Sequence, residues 1–114
     1  MLNQVVLVGR LTKDPEVVNT ESGKKVSYIN LAVQRPFKNT DGIYETDFIR
    51  CVLWNIVAEN TAEYCKTGDI IGVKGRLQTS NYQDEDGTTK YITEVMAERI
   101  TFLSSGKSTE VEEK

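Results

Sequence analysis

A mostly-β domain carrying one helix is what this sequence predicts, and three observations carry that expectation. Turn signals cut the chain into short segments, and most segments alternate β-branched or aromatic residues with polar ones. A single stretch, just after Trp54, instead spaces its apolar residues as a helix does. Glycines interrupt the longest strands, where sharp bending would be needed to close a small sheet on itself.

In chain order, Val5 to Leu11 is an apolar strand with a bend or bulge at Gly9. Asp14-Pro15 marks a turn, Val17-Val18-Asn19 a short extension and Ser22-Gly23 a reversal. Val26 to Arg35 alternates, with Ile29, Leu31 and Val33 on one face and Tyr28, Asn30 and Ala32 on the other. Pro36 to Tyr44 reads as a protruding loop around Asn39-Thr40-Asp41-Gly42. The strand Asp47 to Trp54 follows. Asn55 is the expected N-cap of a helix over Ile56 to Lys66, burying Val57, Ala58, Thr61, Ala62 and Cys65 and ending at Gly68. Ile70 to Tyr82 is a long strand, Asp84-Glu85-Asp86-Gly87 an exposed turn, Lys90 to Ala97 its partner and Ile100 to Leu103 a short last strand. From Ser104 the composition turns polar and charged, which predicts a flexible tail over 104–114 behind a domain of residues 1–103. Three strands, a helix and two strands, with small extras, fit an all-β five-stranded OB-type barrel with the helix between strands three and four. An open sheet with one covering helix fits the same order.

Size and composition narrow the chemistry. A chain of 114 residues makes one domain with its own core. No apolar run approaches the roughly 18 residues of a membrane span and the start lacks a signal-peptide pattern, so a soluble cytoplasmic protein is expected. Cys51 and Cys65 lie on apolar faces and read as buried, reduced thiols; without histidine or a C-x-x-C pair they make no zinc site. The chain contains no histidine and no G-x-x-x-x-G-K loop, so triad, imidazole-base and phosphate-loop schemes have nothing to stand on. Asp84 to Asp86 could hold a cation weakly, but a solvated hairpin tip is the plainer reading. No catalytic residue, cofactor or metal is expected.

The net charge of −3 neither supports nor excludes a nucleic-acid partner, because totals hide distribution. The distribution is informative at Asp47-Phe48-Ile49-Arg50-Cys51-Val52-Leu53-Trp54. A two-residue period puts Ile49, Cys51 and Leu53 on an ordinary core face and Phe48, Arg50, Val52 and Trp54 on the other. Rings flanking a cation on an outer face suit bases that stack and phosphates that pair, the requirement for sequence-tolerant binding of single strands. Rings covered by a loop or a partner subunit would produce the same pattern. The fourth strand repeats it, with Lys74, Arg76, Gln78, Ser80 and Tyr82 opposite Val73, Leu77 and Thr79, and the loop adds Arg35, Phe37 and Lys38.

The opening Met1 to Glu16 resembles the start of bacterial single-stranded DNA-binding proteins. Asp47 to Trp54, Ala58-Glu59-Asn60, Lys66-Thr67-Gly68, Gly75-Arg76-Leu77-Gln78-Thr79 and Thr93-Glu94-Val95 match the same family in order, most closely its Gram-positive members. The resemblance spans about Met1 to Leu103. It implies an OB-fold subunit, usually a homotetramer, that coats single-stranded DNA without catalysis, in the cytoplasm with the nucleoid. The family's stacking positions fall on Phe37, Phe48, Trp54 and Tyr82, and a basic DNA-contacting position on Arg50. Arg35, Lys38, Lys74 and Arg76 are further nominations, Arg76 with a subunit interface as its rival reading. Arg10 matches the family's start and could equally be structural. A primosome-type or RNA-binding OB-fold assembly protein is the alternative.

Two departures are visible. Basic residues that often precede the strand-four aromatic are here Gln78, Ser80 and Asn81, which predicts a shallower salt dependence, about 0.7 less log–log slope per lost phosphate contact. Full-length relatives also carry a Gly/Gln/Pro/Asn-rich linker and an acidic tip with bulky apolar residues that recruits repair and replication enzymes. This sequence ends Glu110-Val111-Glu112-Glu113-Lys114, acidic but without that linker or apolar tip, so either a short accessory paralogue or a truncated form is expected, and recruitment through the tail is doubtful.

Overall fold

The computed structural model describes residues 1–105; most of the tail expected at 104–114 lies outside the described residues. The elements are β1 (Val5–Leu11), β2 (Val18–Asn19), β3 (Lys25–Lys38), β4 (Tyr44–Trp54), α1 (Asn55–Tyr64), β5 (Ile70–Gln83) and β6 (Thr89–Ser104). The strands run β1-β5-β6-β4-β3-β2 across the sheet. β1 also pairs with β3, Arg10 opposite Ala32 and Leu11 opposite Leu31, which closes five strands into a barrel and leaves β2 as an appendage of β3. The seam between β4 and β6 is parallel and short, Cys51 with Val95 and Val52 with Met96. The closed barrel, not the open sheet, is the architecture, with the helix between its third and fourth strands.

Two glycines allow the closure because backbones approach too closely there for any side chain. A Cβ on Gly9 would sit 2.6 Å from the Ala32 carbonyl oxygen, where β1 leaves β5 for β3. A Cβ on Gly75 would sit 2.1 Å from the Met96 carbonyl oxygen. Beside Gly75 the ladder slips: Lys74 pairs with Arg99 but Gly75 with Ala97, leaving Glu98 as a bulge. That bulge is why the two last strands expected from sequence are one continuous strand.

The barrel interior holds Leu11, Ile29, Leu31, Cys51, Leu53, Ile71, Val73 and Val95. Each such aliphatic contributes roughly 1.5–3 kcal/mol by leaving water. The helix closes the core with Ala58 and Thr61 from the face its spacing predicts, and Cys65, in extended backbone just past its end, is buried beside them. Both thiols are free and buried, and burial pushes the Cys51 thiol up to about 11. The helix boundaries differ from expectation. Trp54 occupies the N-cap without a side-chain bond, and Asn55 opens the helix at φ 52° while its Oδ1 accepts the Lys25 N–H at 3.2 Å. The helix stops at Tyr64, and Gly68 (φ 91°) serves the following turn instead. There Arg10 Nη1 donates to the Gly68 carbonyl at 2.7 Å, and Asp14 accepts both the Thr67 N–H and hydroxyl at 2.7 Å. Those bonds give Arg10 and the Lys66-Thr67-Gly68 motif a structural role, and they hold the Asp14 carboxyl below its ordinary value.

Two ribbons extend the strands past the core. Asn39 Oδ1 accepts the Asp41 and Ile43 N–H groups, and Asp84 Oδ1 accepts those of Asp86 and Thr88, with Gly42 and Gly87 at positive φ. The β3–β4 loop is therefore shorter than expected, and Phe37 sits on strand rather than loop. Leu77 and Thr79, expected on the face they share with Val73, are exposed whereas Val73 is buried, because β5 has left the barrel by then. Asn3 caps Leu77 there, accepting its N–H and donating to its carbonyl, both at 2.9 Å.

Candidate nucleic-acid interface

The outward face of β3 and β4 is set by register: Val26 opposite Trp54, Tyr28 opposite Val52, Asn30 opposite Arg50 and Ala32 opposite Phe48. Small Ala32 leaves the Phe48 ring open on its flank, and Phe48 is 68% exposed. Trp54 is half-buried where β4 turns into α1, beside buried Val26. Val52, expected on the outer face, is on it by register but buried, lying between Tyr28 and Met96.

The register carries this face across the sheet. Tyr28, Val52, Met96 and Arg76 form one row over β3, β4, β6 and β5, about 14 Å wide at ordinary strand spacing. Glu94 reaches Arg50 from β6 and stands opposite Gln78. From Gln78, Ser80 and Tyr82 follow at two-residue steps, so Tyr82 lies about 13 Å further along β5, opposite Lys90. Tyr82 and Phe37 are both exposed, on different ribbons. The structure thus groups Phe48, Arg50 and Trp54 on one strand and sets Phe37 and Tyr82 on the two extensions.

The nominated cations differ in what holds them. Arg35 is clamped: Nη2 donates to Asp47 Oδ1 at 2.8 Å, Nε contacts both Asp47 oxygens, and Nη1 donates to Glu45 Oε1 at 2.6 Å. The guanidinium keeps the Asp47 carboxyl below its usual range. This clamp sits at a bulge where Arg35, Pro36 and Phe37 face the single residue Glu45, so it fixes the strand that presents Phe37. Proline, lacking an N–H, is tolerated at such a bulge. Arg50 Nε lies 2.6 Å from Glu94 Oε2, and its Cζ lies over the Tyr28 ring at 4.5 Å from the centroid. Lys38 Nζ is 5.7 Å from the Tyr44 ring centroid. Lys74 and Arg76 have no carboxylate partner among the described residues, nor has Arg99, which faces Lys74 across the ladder.

Exposed rings and cations without a carboxylate partner thus share one face, and no group of three or more His, Cys, Asp or Glu side chains that could hold a metal ion occurs among the described residues. The profile of the single-strand binding protein family matches residues 2–103. The chain belongs to that family. It is a DNA-binding family without enzymatic activity. The chain is 50% identical to single-stranded DNA-binding protein B of Bacillus subtilis over 103 residues, covering 90% of this chain and 91% of that protein. It is 52% identical to the single-stranded DNA-binding protein of Oceanobacillus iheyensis over 105 residues, 92% of this chain and 65% of that one. With single-stranded DNA-binding protein 3 of Listeria innocua the identity is 54%, over 92% of this chain and 66% of the relative. No helix among the described residues is long and apolar enough to cross a membrane.

Sequence reasoning missed Tyr28, Glu94 and Arg99 as parts of this surface. Alternation places Tyr28 on the outer face, which was a usable signal. Glu94 and Arg99 join it through the β6 register, which sequence does not reveal.

Proposed function

We propose that this chain coats single-stranded DNA with little sequence preference and without catalysis. The observation that carries this reading is the outward face of β4, where exposed Phe48 and half-exposed Trp54 flank Arg50 on a rigid barrel strand. Phe48 and Trp54 stack bases there, and Phe37 and Tyr82 extend the track onto the ribbons. Lys38, Lys74 and Arg76 supply the charge for phosphates. Arg35, neutralised by two carboxylates, contributes by fixing the strand beneath Phe37. Four copies forming a homotetramer would join such tracks, as is usual in the family. The role is to shield exposed strands during replication, recombination, repair or DNA uptake, in the cytoplasm with the nucleoid.

Comparing oligo(dT), oligo(rU) and a duplex of equal length at one salt concentration tests this reading. Binding to dT at least tenfold tighter than to duplex is expected, with a log–log salt slope near −2 from about three phosphate contacts. Equal or tighter binding of duplex contradicts it, and preference for rU favours an RNA-binding assembly protein.

A further inference from the structure

We propose that Arg50 meets nucleic acid as a flat stacking surface, held in place by Glu94 over Tyr28, rather than as a phosphate ligand. This inference rests on the single-strand-binding reading and names the work of one residue in it. Arg50 stands opposite Asn30 and Tyr28 opposite Val52, so the two are diagonal neighbours on one face, within reach of a long side chain. The guanidinium carbon lies over the phenol ring at 4.5 Å, and Nε is 2.6 Å from Glu94 Oε2. Glu94 comes from a third strand, β6, so three strands converge to place one plane.

Charge decides between the two roles. The Arg50–Glu94 unit is neutral, and a phosphate approaching Arg50 meets a carboxylate at 2.6 Å from the same guanidinium. Side-chain exposure is 48% for Arg50 but 15% for Glu94. Moving Arg50 onto a phosphate would therefore leave a mostly buried carboxylate without its cation, a costly exchange. A base that stacks on the guanidinium's outer surface needs no such exchange. Guanidinium planes accept bases as aromatic rings do, and a ring behind the plane fixes its orientation. Phe48 is two residues away on the same face, about 7 Å, so ring and guanidinium are successive steps of one track. Glu94 is then a positioning residue. It also gives a function to the Thr93-Glu94-Val95 motif.

The test is oligo(dT) affinity across a salt series for the full chain and its Arg50→Lys, Arg50→Ala, Glu94→Gln and Arg50→Lys/Glu94→Gln forms. Lysine keeps the charge and loses the plane. Arg50→Lys should therefore weaken binding about tenfold with the salt slope unchanged, and Arg50→Ala, which also strips Glu94 of its cation, by at least as much. At about 0.3 M salt, where distant exposed charges are screened, Glu94→Gln should weaken binding about threefold. The double form should bind no worse than Arg50→Lys alone, since both changes remove the same plane. If Arg50→Lys binds as the parent does while Arg50→Ala loses about 0.7 of slope, Arg50 is a phosphate ligand and the inference fails. Tighter binding by Glu94→Gln at that salt overturns it too, because Glu94 would then be a competitor for Arg50. Parent protein that does not bind dT overturns the single-strand-binding reading itself, a result distinct from either.

Discussion

Replacing Phe48 or Trp54 with alanine is expected to weaken oligo(dT) binding about five- to a hundredfold, since a base stacked on a ring is worth roughly 1–3 kcal/mol. The two variants separate binding from folding. Phe48 is 68% exposed and faces Ala32, so its ring has little to support in the barrel. Trp54 is half-buried at the start of α1, beside Val26, so its loss also lowers the melting temperature. Size-exclusion chromatography and thermal melts alongside the titrations distinguish the causes. A Phe48→Ala variant that elutes as the parent does but binds more weakly supports a stacking ring. Elution at a smaller size than the parent, with binding per chain preserved, would make that face a subunit interface instead. Unchanged affinity in both variants contradicts the stacking assignment.

The second large effect concerns the barrel's closure. Gly75→Ala places a methyl group where the Met96 carbonyl oxygen would be 2.1 Å away, with the Met96 carbonyl carbon at 2.9 Å and Ala97 Cα at 3.0 Å. All three atoms are backbone, so no side chain can swing aside. Separating β5 from β6 at the bulge should cost about 3 kcal/mol, the upper range for overpacking, and lower the melting temperature by about 10–20 °C. Gly72→Ala on the same strand is the control, because the nearest heavy atom to its Cβ is 3.7 Å away, ordinary contact. It should melt within a few degrees of the parent. Equal melting of the two variants would show that the close approach at Gly75 does not govern stability.

What sequence reveals about this molecule follows from which forces are local. Alternation in Val26–Arg35 and Asp47–Trp54 separates core from outer face because a strand's side-chain period is built into its backbone. The burial of Ile29, Leu31, Cys51 and Leu53 follows that period, and Ala58 and Thr61 follow the helical one. Long-range partners are not local. The Asn55 amide resembles a cap by type, but its oxygen is taken by the Lys25 N–H, 30 residues away. The Arg35 clamp depends on the bulge at Arg35–Phe37, and the Arg50–Glu94 pair on the parallel register of β4 against β6. For the same reason a list of cations read from sequence mixes those already neutralised with those still unpaired. Alternation also loses its meaning beyond the barrel, where both faces of β5 meet solvent and Leu77 has no core to enter.

Emission from Trp54 during titration with oligo(dT) tests the proposed stacking track most directly, since the chain contains one tryptophan and it stands at the end of β4. Strong quenching that saturates at stoichiometric DNA, and is reversed by high salt, is the expected result. Saturated binding by an independent filter assay with Trp54 emission unchanged would place the ring off the DNA and contradict the account.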